Sequence, residues 1–154
     1  MAKRIKIEPR TMSVCDAASE AISELTGLGE EMREIYDNSP ESLQQTDINQ
    51  RRDETASTCE GFSEPDYPKE LEDIKVTITD LPAKQHSRNT RSGQAVYMLQ
   101  ECVDTLQETF DELEKKENPT KEEESKKNAI ESLKDDLENI MSEAEGLDFP
   151  GMFG

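Results

Sequence analysis

Between Val96 and Leu147 the apolar residues fall at intervals of three and four on both sides of a single break, Asn118-Pro119. Val96, Leu99, Val103, Leu106, Phe110 and Leu113 keep that rhythm before the break; Ile130, Leu133, Leu137, Ile140, Ala144 and Leu147 keep it after. Such spacing places the residues along one edge of an α-helix, and a connector this short makes the two helices antiparallel neighbours. Thr120-Lys-Glu-Glu123 has the form of a capping box, and Gly146 is a stop. Glu122–Lys126, Glu123–Lys127 and Lys134–Glu138 stand four apart, a spacing that supports a solvated helix by ~0.3 kcal/mol per pair. The spacing predicts an acidic antiparallel coiled-coil hairpin over residues 93–146.

A second hairpin is predicted over residues 11–63. Ser13 is a candidate N-cap with Asp16 three residues on, followed by the seam Val14, Ala18, Ala21, Leu25, Leu28, Met32 and Ile35. Gly27 and Gly29 interrupt this helix, each costing roughly 1 kcal/mol relative to Ala. They either kink it or let a partner backbone approach near Leu28. Asp37-Asn-Ser-Pro40 ends it. Thr46 or Asp47 can cap the next helix, whose seam of Ile48, Arg52, Thr55, Cys59 and Phe62 is more polar; Gly61 and Pro65 close it.

The intervening residues 64–92 have another character. Ile74-Lys-Val-Thr-Ile78 alternates apolar and polar side chains with β-branched residues, as a short strand does. Arg4-Ile-Lys-Ile-Glu8 alternates likewise, so the expectation is a ribbon between the two, covered by a helix. Lys84–Arg91 reads as a basic loop. The expected organisation is a basic arm or strand at 1–10, a hairpin at 11–63, a connector at 64–92, a hairpin at 93–146 and an apolar tail at 147–154. The fold class is mainly α: antiparallel coiled-coil-like hairpins with a short two-stranded β-ribbon.

The chain's 154 residues include 36 acids and 18 bases, a net charge of −18, and only 32% are hydrophobic. That excludes a large multilayered core and leaves thin helices on narrow stripes. It also disfavours non-specific attraction to nucleic acid or to anionic membranes. No stretch approaches the ~18 apolar residues of a membrane span, and the basic N-terminus lacks the apolar region of a secretory signal. A cytoplasmic protein with reduced thiols is expected, Cys15, Cys59 and Cys102 acting as small buried hydrophobes beside the seams.

Chemistry-bearing patterns are sparse. The only imidazole, His86, lies in the basic loop, and a nucleophile needs a base beside it. No nucleotide-binding glycine loop, hydrolase elbow, metalloprotease helix or calcium loop can be written, and Gly27-Leu-Gly29 sits within an apolar heptad. Neither an enzyme nor any cofactor or metal is expected.

The acidic faces carry what function the residues suggest. Glu108, Asp111 and Glu112 on one helix and Asp135, Asp136 and Glu138 on the other are candidate partner-binding residues. They are either a solvated surface or a surface for another protein. A further reading is mimicry of DNA toward a host nucleic-acid-binding enzyme of restriction, CRISPR or repair. Residues 93–145 would form a hairpin ~39 Å long at ~1.5 Å per residue. The net −11 of residues 93–154 then amounts to roughly one charge per 3.5 Å, against ~1.7 Å along duplex DNA. That half-strength match favours protein binding over disguise. The opposite patch, Lys3, Arg4, Lys6 and Arg10 with Lys84, Arg88 and Arg91, lacks interleaved aromatics, so nucleic acid is not an expected partner. A homodimer is a further expectation, because an apolar stripe seeks a partner stripe. Phe149, Met152 and Phe153 on the Pro/Gly-rich tail either fold back onto the hairpin or enter a pocket on a partner.

The run Leu25-Thr-Gly-Leu-Gly-Glu-Glu-Met-Arg-Glu-Ile-Tyr-Asp-Asn-Ser-Pro-Glu-Ser-Leu43, with Ser87-Arg-Asn-Thr-Arg91 opening a later helix, resembles small uncharacterised helical proteins encoded by phages and prophages. The resemblance spans residues 13–113 and implies a phage-encoded accessory protein in a host cytoplasm. It brings no functional residues. The chain departs from it at Ile35-Tyr36, in its acidic hairpin and in its Phe-Pro-Gly-Met-Phe-Gly end.

Overall fold

The computed structural model describes residues 8–44, 46–82 and 84–150. In chain order these form strand β1 (Arg10–Ser13), helix α1 (Val14–Asp37), a one-turn helix α2 (Glu41–Gln44), α3 (Asp47–Glu60), a 3-10 turn (Lys69–Leu71), strand β2 (Lys75–Ile78), α4 (Arg88–Glu114) and α5 (Lys121–Glu145). The protein is mainly helical with one small ribbon, as expected.

The helix boundaries follow their caps. The Ser13 hydroxyl accepts from the Asp16 amide at 3.0 Å and opens α1. Thr46 caps α3 through the Asn49 amide, and Gly61 ends it. Thr120 and Glu123 make the full reciprocal capping box at the start of α5, each bond 3.1 Å. At α4 the structure corrects the boundary. Ser87 is the N-cap, accepting from Thr90, so the second half of the basic segment is the helix's first turn rather than loop.

The helices form a row in which α3 packs on α1, α1 on α4, and α4 on α5. Successive neighbours in the row run antiparallel. Arg91 at the start of α4 reaches Glu24 and Glu31 of α1, while the Cys102 thiol further along donates to the Val14 carbonyl at 3.6 Å. The two hairpins thus share a seam between α1 and α4. That seam widens the predicted stripe of α1: beside Val14, Ala18, Ala21, Leu25, Leu28 and Met32, the second row Ala17, Ile22 and Gly29 is buried. On α4, Ala95, Met98 and Cys102 are buried alongside Leu99, Val103 and Leu106 for the same reason. The apolar stripes are therefore covered within the chain, and self-association is not required to bury them.

On α3 the expected seam holds at Thr55, Cys59 and Phe62, which are buried, and departs from expectation at its start. Ile48 is about half exposed, whereas Asn49, Thr55, Ala56 and Cys59 are buried. Gly29 explains the close approach, since a side chain there would run into the Cys59 Cβ. Of the two alternatives for the glycines, the near approach of a partner helix holds at Gly29. Gly27 faces open space. All three cysteines are buried and unpaired.

The ribbon pairs β2 with Arg10–Ser13, Arg10 opposite Ile78 and Ser13 opposite Lys75, antiparallel. The predicted partner Arg4–Glu8 lies outside the described residues up to position 7, and the pairing belongs to the segment that follows it. The reason is continuity: Val14 donates to the Ile74 carbonyl at 2.9 Å, so the strand runs straight into α1. Val76 and Ile78 point inward and Lys75 and Thr77 outward. Helix α4 receives the ribbon's end through Tyr97 and Gln94, which bond the backbone of Thr79.

Two of the expected i,i+4 pairs are replaced by longer connections. Lys126 bonds Asp73 at 2.9 Å, Lys127 bonds Glu114 at 3.2 Å, and Glu123 takes Lys116 across the hairpin turn. Only Lys134–Glu138 forms as spaced, at 3.4 Å. Long flexible lysines settle where a carboxylate of another element stands closer than the one on their own helix face.

Candidate functional site

The row has arginines at two of its helix seams. Between α1 and α3, Arg33 bonds Asp53 at 2.5 Å and Glu60 at 2.8 Å. Between α1 and α4, Arg91 bonds Glu24 at 2.6 Å and Glu31 at 2.9 Å, with Arg88 on Glu31 at 3.2 Å. Burial opposes ionisation of Glu31, but the two arginines outweigh it and its pKa falls below the ordinary carboxylate value. Arg10 joins Asp80 of the ribbon's exit to Glu20 of α1. Of the basic residues that might have formed one patch, Arg10, Arg88 and Arg91 are thus turned onto the chain's own acids, while Lys84 is exposed. Lys3, Arg4 and Lys6 lie outside the described residues.

The acidic candidates on the outer hairpin are accessible. Glu108, Asp111 and Glu112 of α4 are exposed, as are Asp135 and Asp136 of α5; Glu138 is half-buried beside Lys134. Asp111 accepts from Gln107 at 2.8 Å. Glu108, Glu112, Asp135 and Asp136 have no cationic partner among the described residues. No contact gathers the six into one cluster.

Of these six, Asp136 lines an open groove. Helices α3 and α5 stand at the two ends of the row and are not packed on each other along their length. The segment after α3 crosses toward α5 and leaves an open groove of about 440 Å³. Phe62, Pro65 and Ile140 supply its apolar part, and Glu64, Asp66, Asp136 and Glu143 its carboxylates. Glu143 also borders a second depression of about 230 Å³, with Glu54, Thr58 and Leu147. Glu64, which accepts from Ser19, and Asp66 flank Pro65 in a loop. They escaped sequence reasoning because neither sits on a helix face; the only available sign was two acids flanking a proline.

The tail folds back beside the second depression, which Leu147 and Asp148 line. Phe149 is 1% exposed, so it is a core residue and is not presented to a partner. Its amide donates to the Asn89 side-chain carbonyl at 3.0 Å, and Thr55 donates to the Asp148 carbonyl at 2.6 Å. Asp148 pairs with Arg51. Of the two readings of the tail, folding back holds for Phe149, while Met152 and Phe153 lie outside the described residues.

Elsewhere the chemistry is plain. His86 Nε2 donates to the Pro82 carbonyl at 2.8 Å. Among the described residues no group of three or more histidines, cysteines and carboxylates converges to hold a metal ion. No helix of the described residues is long and apolar enough to cross a membrane. Comparison with known protein families, curated proteins and solved structures finds no match to this chain.

Proposed function

We propose that this chain is a non-catalytic accessory protein that acts by binding another protein through the acidic outer faces of α4 and α5. The observation that carries the reading is the division of charge. The arginines at the helix seams are paired with seam carboxylates, whereas Glu108, Glu112, Asp135 and Asp136 face solvent with no cationic partner among the described residues. Exposed carboxylates of one sign create a field that speeds encounter with a basic surface and rejects acidic ones. The phage-protein resemblance of Leu25–Leu43 adds a setting in which the partner is a phage or host protein.

The test is capture from a host lysate with the wild-type chain and with Glu108→Lys/Glu112→Lys, followed by a salt titration and competition with duplex DNA. Retention of a basic protein by wild type and its loss with the charge-reversed pair is the expected result. A partner equally well retained by both forms would refute the role of these faces. A DNA-binding partner displaced by duplex DNA would instead establish mimicry.

A further inference from the structure

We propose that the first turns of α3, where Ile48, Asn49 and Arg52 share a face, receive a carboxylate side chain from an apolar stretch of a partner protein. The proposal goes beyond the acidic outer faces of α4 and α5, since it concerns another helix and the opposite charge.

The first observation is an arginine left over. Arg10, Arg33, Arg51, Arg88 and Arg91 each bond a carboxylate of the chain. Arg52 has no carboxylate partner among the described residues. Its Nη1 donates to the Asn49 side-chain carbonyl at a long 3.4 Å, and its Nε is buried without an acceptor. In a chain with 36 acids and 18 bases, a guanidinium without an acid is the exception.

The second observation is Asn49, which is 1% exposed. Its carbonyl accepts from Ser39 Oγ at 3.2 Å as well as from Arg52, which fixes the orientation of the amide. Nδ2 is then left buried with no acceptor, and an amide donor kept from water in this way destabilises the fold. The two unmet groups adjoin, both are donors, and one is cationic. A carboxylate answers both, being anionic, acceptor-only and shaped for the arginine fork. A water molecule supplies an acceptor but no charge. Arg52 is half-buried and turns on a long stem, so an incoming carboxylate meets the guanidinium first.

The third observation is the apolar rim. Leu43 and Ile48 are the large apolar side chains left about half exposed among the described residues. Ile48 stands four positions before Arg52 and so on its face of the helix. Leu43 lies just before α3, its carbonyl accepting from the amide of the Thr46 cap at 3.2 Å. A carboxylate that covers this rim arrives with apolar neighbours, as a protein side chain does and a free anion does not. Phosphate groups and a second copy of the chain bring more negative charge, which the net −18 repels.

Heteronuclear NMR of the full chain tests the assignment at about 0.15 M salt, where exposed charges are screened beyond ~8 Å. The probe is the tripeptide Leu-Glu-Leu, acetylated and amidated at its ends. The Arg52 Nε–H signal, identified by its absence in Arg52→Lys, and the Asn49 side-chain amide pair should shift together and saturably. Leu-Gln-Leu should leave both in place. Followed at the Asn49 amide, affinity for Leu-Glu-Leu should fall about tenfold in Arg52→Gln. Arg52→Lys should fall between, because it keeps the charge and loses the fork. Equal shifts with Leu-Gln-Leu, or no shift of these signals with Leu-Glu-Leu, overturns the proposal. So does acetate acting as strongly as the tripeptide, which would make this a site for free carboxylates. The comparison of the two tripeptides uses the wild-type chain, so it stands even where a variant fails to fold. Glu108→Lys/Glu112→Lys should bind the tripeptide like wild type, and the reading of the outer faces is decided separately by capture with that pair.

Discussion

Gly29 of α1 lies against Cys59 of α3 so closely that an added methyl group would overlap the Cys59 Cβ, with the Cα and Sγ of that cysteine each 3.5 Å away. The first interhelical seam therefore depends on a missing side chain. Gly29→Ala should force the helices apart and destabilise the fold by roughly 1–3 kcal/mol. Gly27→Ala, two residues earlier and facing open space, should stabilise it by about 0.4–1 kcal/mol through helix propensity and a stiffer unfolded chain. Urea denaturation of the two variants beside wild type separates them; shifts of the same sign would contradict the packing described.

The thiols give a signature at alkaline pH. Burial pushes Cys59 up to about 11, with Glu60 adding to it, and Cys102 up to about 12, with Cys15 and Glu101 adding to it. A group whose folded pKa is raised stabilises the fold fully below its unfolded value, 9.0 here, and that contribution is lost as pH rises through the folded value. Stability should fall progressively from about pH 9 to pH 12, and Cys102→Ala should flatten the upper part of the fall. Thiol labelling at pH 8 should be slow in the native state and complete in denaturant; rapid native labelling of all three would show the seams to be open.

The arginine pairs at Glu31 predict an acid limb. Depressed in the fold, Glu31 contributes stability that is present above the ordinary glutamate value of 4.5 and lost as pH falls through its lower folded value. Glu31→Gln should cost about 0.5–1 kcal/mol at neutral pH, a modest figure because the pair is partly solvated. The difference between variant and wild type should vanish in strongly acidic solution. Thermal melts across that range measure it, and a pH-independent difference would mean that the substitution acts through packing.

Removing the aromatic at 149 is expected to act as a core truncation rather than as the loss of a surface motif. Phe149→Ala should destabilise by roughly 3–5 kcal/mol. Asn89→Ala should cost about 1 kcal/mol or more, since the Phe149 amide loses its acceptor. A Phe149→Ala chain melting like wild type would show that the ring is not buried in solution.

Much of the fold could be read from local residues because its helices begin and end on side-chain chemistry that acts over three or four positions. Ser13, Thr46, Thr120 and the 3–4 stripes are of this kind. The lateral order of the helices was not legible. The α1–α4 seam is held by Arg91 and Glu31, sixty positions apart, and an arginine in a basic run carries no mark of which carboxylate it will meet. The ribbon's partner strand was not legible for a related reason: alternation marks a strand but not its partner, and the pairing among the described residues is that of Arg10–Ser13, which runs directly into α1. At the candidate site, Asp136 was foreseen from its helix face. Glu64 and Asp66 were not, because they become groove walls only when a loop crosses to a helix seventy residues later.

The bonds from Phe149 to Asn89 have a further effect on how the molecule comes apart. They tie the segment after α5 to the first turn of α4, sixty positions back, so that α4, its turn and α5 make a closed circuit. Neither end of that hairpin can fray alone: peeling α5 from its C-terminal side uncovers an aromatic ring and frees the start of α4 in the same event. Hydrogen exchange at the two remote helix ends should therefore rise together, as one opening with one free energy.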